Sequence, residues 1–171
     1  MDNRFDIQNH SDVVASLIKK AAEQGESPSL TVISSSMFPL LKPGDCVFLE
    51  AIKFETLKKG DIITLWNGDA LLTHRVVSSD GEQIQTRGDQ NIQDDPNTPS
   101  LMLLGKVIKV KSRSTNKLTD LTSGYGLIVN RLIEKLSYQR RKTRLKQENC
   151  NKTRPITVTI NATIRLLAST L

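Results

Sequence analysis

Four turn signals punctuate the middle of this chain, and they limit its possible folds more than any other feature. Lys42-Pro43-Gly44-Asp45, Lys59-Gly60-Asp61, Asn67-Gly68-Asp69 and Asp80-Gly81 alternate with short β-branched runs. Runs with strand character are Leu30 to Ser34, Cys46 to Ile52, Asp61 to Trp66, Ala70 to Val77, Gln83 to Thr86 and Gly105 to Lys111. Asn-Gly and Asp-Gly supply the positive-φ residues that tight hairpins demand, so neighbouring runs are predicted to pair antiparallel. The expected class is mainly β, with a barrel-like antiparallel core.

The flanks follow a different period. Ser11 to Glu23 reads as a short amphipathic helix, with Val13, Val14, Leu17, Ile18 and Ala21 on one face and Gly25 and Pro28 as its stop. Tyr125, Ile128, Val129, Leu132, Ile133 and Leu136 mark a second helix, which runs on into Arg140, Arg141, Lys142, Arg144 and Lys146. Residues 155 to 171 are apolar and Thr-rich, and the pattern does not choose between strand and helix. The expected organisation is an N-terminal helix and linker (1–28), a β-domain (29–113) and a basic helical extension (114–171).

Composition narrows the class of function. The chain has 171 residues and a net charge of +6, divided unevenly. Residues 1 to 105 carry a balance of −6 and residues 106 to 154 a balance of +11. An acidic body with a basic tail bears on partners rather than on fold. Two cysteines, Cys46 and Cys150, form neither a disulfide framework nor a zinc-ligand pattern, so a reducing, cytoplasmic setting is expected, with Cys46 as a small core residue. No metal or cofactor is expected. No run approaches the ~20 apolar residues of a spanning helix.

Two stretches carry the chemistry. One is Ser34-Ser35-Ser36-Met37-Phe38-Pro39; the other is Thr73-His74-Arg75-Val76-Val77, continued after the Asp80-Gly81 turn by Thr86-Arg87-Gly88-Asp89-Gln90-Asn91 and Asp94-Asp95. Singly, each has a bland explanation: a strand end, a packed histidine, or a turn beginning at Gly88-Asp89 or Asp95-Pro96. Together they offer a hydroxyl, an imidazole and carboxylates, the groups that nucleophilic catalysis by serine requires.

In their order and spacing these pieces resemble the signal peptidase I superfamily, over roughly residues 30 to 110. The match is closest to the archaeal and endoplasmic-reticulum branch, whose general base is His. The resemblance implies a signal peptidase-like β-fold with Ser36 as nucleophile and His74 as base. It implies Asp95 as third member, with Asp89 as second choice, and an oxyanion site of main-chain N–H groups near Ser36 helped by the Ser34 hydroxyl. Self-cleaving repressors of the same superfamily use Lys where this chain has His74. Membrane signal peptidases carry a spanning helix before the Ser-Met motif, a place taken here by the short charged helix. Arg87 stands where the family commonly has Lys, a change expected to be mild.

The expected function is a serine endopeptidase acting on a leader or signal peptide, with a peptide or precursor protein as partner. The alternative is a non-catalytic peptide- or partner-binding module of the same fold. Too few aromatic residues accompany the basic tail to favour nucleic acid. For Gly124 to Lys146 two readings compete: packing on the β-core, or peripheral contact with an anionic membrane.

Overall fold

In a computed structural model the main chain is described from residue 3 to residue 150, and side chains from 12 to 146. The Cys150 side chain and the stretch from 155 to 171 therefore lie outside the described residues. Helix α1 (Asn3–Glu23) leads into β1 (Ser29–Thr31), β2 (Cys46–Glu50), β3 (Ile62–Trp66), β4 (Leu71–Ser79), β5 (Gln83–Arg87), β6 (Thr98–Pro99), β7 (Leu103–Lys111), β8 (Leu118–Asp120) and helix α2 (Gly124–Cys150). The fold is mainly β. A single curled sheet runs in the order β1-β2-β7-β3-β4-β5-β6, every pair antiparallel, and β8 joins β7. A boundary at residue 113 falls inside this sheet, because Leu118–Asp120 pairs with the last part of β7.

The turns explain the register. At Asn67-Gly68 the Asn67 side-chain oxygen accepts from the amides of Asp69 (3.0 Å) and Ala70 (2.8 Å), closing the β3–β4 hairpin. The two Gly-Asp turns are copies of one device. Gly44 and Gly60 both have φ near +90°, which favours glycine, and each following aspartate accepts from the amide three residues back: Lys42 to Asp45 at 2.8 Å and Lys58 to Asp61 at 3.0 Å. Both aspartates are buried. They are also held by more distant partners, the Arg113 amide for Asp45 (3.0 Å) and the Lys106 ammonium for Asp61 (2.9 Å). Their work is structural.

Strand β3 is buried along its whole length, so four of its five residues are apolar instead of alternating, and the exception, Thr64, shares a hydrogen bond with the Thr73 hydroxyl (2.9 Å). Ile62 and Trp66 join the larger core with α1, α2, Met37 and Leu41, while Ile63 and Leu65 join a second cluster with Val76 and Ile84 on the other face.

Both helices depart from the pattern read in the sequence. Helix α1 begins well before Ser11, so Ser11 lies inside it and does not cap it. It buries Ala15, Ile18 and Ala22, leaving Val13, Val14 and Leu17 exposed. Two alanines on the inner face let the helix lie close to the sheet, and the bulkier valines and leucine turn outward. In α2, Val129 and Ile133 are fully buried, whereas Tyr125, Ile128 and Leu132 stay exposed. Burying two such side chains contributes roughly 3–6 kcal/mol, so the helix is held to the core by two of the six residues of its stripe. Cys46 is a free thiol and only half-buried, not a core residue.

Candidate active site

The loop that follows β1 brings Ser36 to the imidazole of His74, which projects from the middle of β4. Ser36 Oγ lies 2.9 Å from His74 Nε2, and His74 Nδ1 lies 2.6 Å from Asp95 Oδ2. The same carboxylate oxygen accepts from the Thr86 hydroxyl at 2.6 Å, and the Asp95 amide bonds back to the Thr86 carbonyl at 2.9 Å. A carboxylate can only accept, so Nδ1 must carry the hydrogen. That leaves the Nε2 lone pair facing the serine O–H, the tautomer needed to take its proton. Thr86, which the motif contains but to which the sequence assigns no role, completes the coordination of Asp95.

Asp89 does something else. Its carboxylate takes a two-pronged interaction from Arg75, Nε at 2.8 Å and Nη2 at 2.7 Å, and both side chains are buried. Arg75 Nη1 also donates to the Gly60 carbonyl (2.9 Å) and to Asn130 Oδ1 on α2 (2.7 Å). Burial opposes the Arg75 charge, but Asp89, with Glu134 and Asp61 beyond it, outweighs that and holds the guanidinium above its ordinary pKa. Thus, of the two candidate carboxylates, Asp95 is brought to the imidazole and Asp89 ties the sheet to α2.

The segment from Gly88 to Asp95 is fastened along its length. Gln90 donates its amide to the Ser36 carbonyl (2.8 Å) and its side chain to the Phe38 carbonyl (2.6 Å), so the Ser36 loop and the Asp95 loop are stitched together. Asp94 is clamped between Arg87 (2.7 Å) and Arg141 (2.9 Å), and Arg141 Nε also bonds the Ile92 carbonyl (2.8 Å). Arg140 is buried beside Gln90; desolvation, then the neighbouring Arg144, lower its pKa, with Asp89 opposing. In the sequence these arginines are only a basic continuation of the helix, yet Arg140 and Arg141 turn inward to hold this segment. Gly88 is required by closeness: a Cβ there would sit 2.9 Å from the Ser36 carbonyl oxygen and 3.0 Å from His74 Nε2.

Ser34 Oγ lies 3.1 Å from Ser36 Oγ, and the Ser36 main-chain N–H donates none of the described hydrogen bonds. The Ser36 N–H, and the Ser34 hydroxyl once it turns from Ser36 Oγ, can donate to an oxygen bound beside Ser36. Next to them opens a groove of about 710 Å³. One wall is Leu30 to Ser34, the other Asp69 to His74, with Met37, Leu41, Val47 and Trp66 also lining it. Strand β1 pairs only with β2, and the part of β4 before Arg75 pairs only with β3. Among the described residues, both walls thus carry strand edges with no strand beside them.

No family model matches the chain, and no curated protein sequence matches it either. Among the described residues, no group of three or more His, Cys, Asp and Glu side chains is placed to hold a metal ion.

Proposed function

We propose that this protein is a serine endopeptidase that cuts a leader or signal peptide presented as an extended strand. The observation that carries the reading is the continuous chain Asp95–His74–Ser36, with hydrogen bonds of 2.6 and 2.9 Å. Ser36 Oγ attacks the scissile carbonyl carbon while its proton passes to His74 Nε2, and Asp95 stabilises the resulting imidazolium. The carbonyl π pair moves onto oxygen, where the Ser36 N–H and the Ser34 hydroxyl donate to it. Collapse breaks the C–N bond, the amine leaves with the proton from His74, and an ester remains on Ser36. Water, deprotonated by His74, then releases the acid. The free edges on both walls of the groove supply main-chain hydrogen bonds to an added strand. The test is mass spectrometry of a peptide library incubated with the native chain: cleavage is expected, and Ser36→Ala should lack it. Library peptides retained but uncut by the native chain would instead establish the non-catalytic binding module.

Gly88→Ala is a sharper probe of geometry. The added methyl must displace either the Ser36 main chain or the His74 ring. A misplacement of ~1 Å costs about 100-fold in turnover. Unchanged kinetics in a normally melting Gly88→Ala protein would contradict the placement of these three residues.

Among the described residues no helix is long and apolar enough to cross a membrane. The outward half of α2 supports a peripheral membrane contact as part of this proposal. Tyr125 and Ile128 are 53% and 58% exposed, and Lys135 and Lys142 are exposed on the same helix. Basic residues at an anionic surface contribute roughly 1 kcal/mol each. Sedimentation with anionic vesicles should carry the protein down at low salt and lose it at high salt. No binding at low salt would remove the membrane from the proposal.

A further inference from the structure

The groove beside Ser36 is apolar along almost its whole length, with one charged exception at its far end. Among the described residues lining it, only His74 and Asp69 are ionisable. His74 is committed to Ser36 and Asp95. Asp69 sits in the β3–β4 turn, where its amide bonds to Asn67 Oδ1 (3.0 Å); its carboxylate enters no described ion pair or hydrogen bond. The turn is closed without that carboxylate, since Asn67 supplies the acceptor for both the Asp69 and the Ala70 amides.

Strand geometry converts this position into a substrate coordinate. A strand rises about 3.3 Å per residue, so Leu71 lies roughly 10 Å along β4 from His74, and the two turn residues Ala70 and Asp69 add at most about 7 Å more. A peptide added alongside that edge advances at the same rate. The residue it places beside Asp69 is therefore about five positions from the bond held at Ser36. Between these two points the groove presents Leu71, Leu72, Val32 and Leu30, which suit apolar or small side chains.

We propose that Asp69 is a specificity residue selecting Lys or Arg about five positions from the cut bond, on the side of the substrate that occupies the groove. This rests on the peptidase reading for the reaction, while the recognition itself does not. The occupant is an extended chain, apolar near the bond and basic at its far end. Charge complementarity supports it through the unpartnered Asp69 carboxylate at the groove end.

The experiment is a positional profile of cuts made in a peptide library by the native chain, Asp69→Asn and Asp69→Lys. The native chain should enrich Lys and Arg about fivefold at that position, as expected for a single ion pair at a wet groove end. Asp69→Asn should flatten the preference, Asp69→Lys should turn it toward Asp and Glu, and high salt should weaken it in both charged forms. A flat native profile, or one unchanged in Asp69→Asn, overturns the proposal and leaves the peptidase reading intact. Absence of any cut by the native chain overturns the peptidase reading instead. In that case Ser36→Ala is titrated with short dansylated Ala-Val peptides ending in Lys or in Glu. Tighter binding of the Lys peptide that disappears in Ser36→Ala/Asp69→Asn supports Asp69, and equal affinities refute it.

Discussion

Replacing Ser36 by Ala should remove nearly all peptide cleavage, a loss on the order of 10³–10⁶ in turnover, and His74→Ala should cost a similar factor. The double variant should be little worse than either single one. On the proposed mechanism the two groups act in one step, the 2.9 Å hydrogen bond between Oγ and Nε2 carrying the proton away from Ser36, so neither would be useful alone. Independent effects would instead multiply. Peptide turnover by the three variants under saturating substrate separates the cases, and multiplying losses would mean that Ser36 and His74 serve different events.

The second large effect distinguishes two aspartates that lie within one short segment. Asp89→Asn leaves the buried Arg75 charge without its carboxylate, a change that costs about 3–5 kcal/mol. For a chain of this length each kcal/mol moves the melting temperature by roughly 2–4 °C, so a drop of about 6–20 °C is expected. Asp95→Asn should melt close to the native protein yet lose about 10⁴ in turnover. An amide there can donate to Nδ1, which would put the imidazole hydrogen on Nε2 and leave no lone pair for Ser36. Thermal melts run beside turnover settle the matter. A stable, inactive Asp89→Asn together with an active Asp95→Asn would exchange the two roles.

Much of the sheet could be read in the residues because its signals are local. Asn67-Gly68 and Asp80-Gly81 specify hairpins through backbone conformation alone, and the strands between them need only alternate or stay apolar. The very short β6 and β8 lacked such a signal: Thr98–Pro99 and Leu118–Asp120 are strands only because neighbouring strands offer them an edge. For α1, hydrophobicity favoured the valine face, but close approach to the sheet favoured the alanine face. The inward turn of Arg140 and Arg141 was invisible for a related reason. A run of basic residues shows its charge in the sequence, whereas Asp94 and the Gln90 carbonyl meet it only through the tertiary fold. Among the carboxylates, the residues themselves left Asp89 and Asp95 open, and it is the side-chain geometry that separates them.

Neighbouring residues of β4 carry opposite duties: His74 faces Ser36 and Arg75 anchors Asp89 on the other side. Side chains alternate along a strand, so sliding β4 by a single position would deliver an arginine to Ser36 in one direction, or an imidazole to Asp89 in the other, and in either case would break the pairing of both. Tolerance of insertions and deletions should therefore be sharply uneven over a few residues. Extra residues at the Gly68 tip can be absorbed as a longer loop. One added or removed between Leu71 and His74 reverses which face the following side chains occupy, and no point substitution nearby can restore it. A library of single-residue insertions across 66 to 76, selected for folding and separately for cleavage, would show this border as a step at β4.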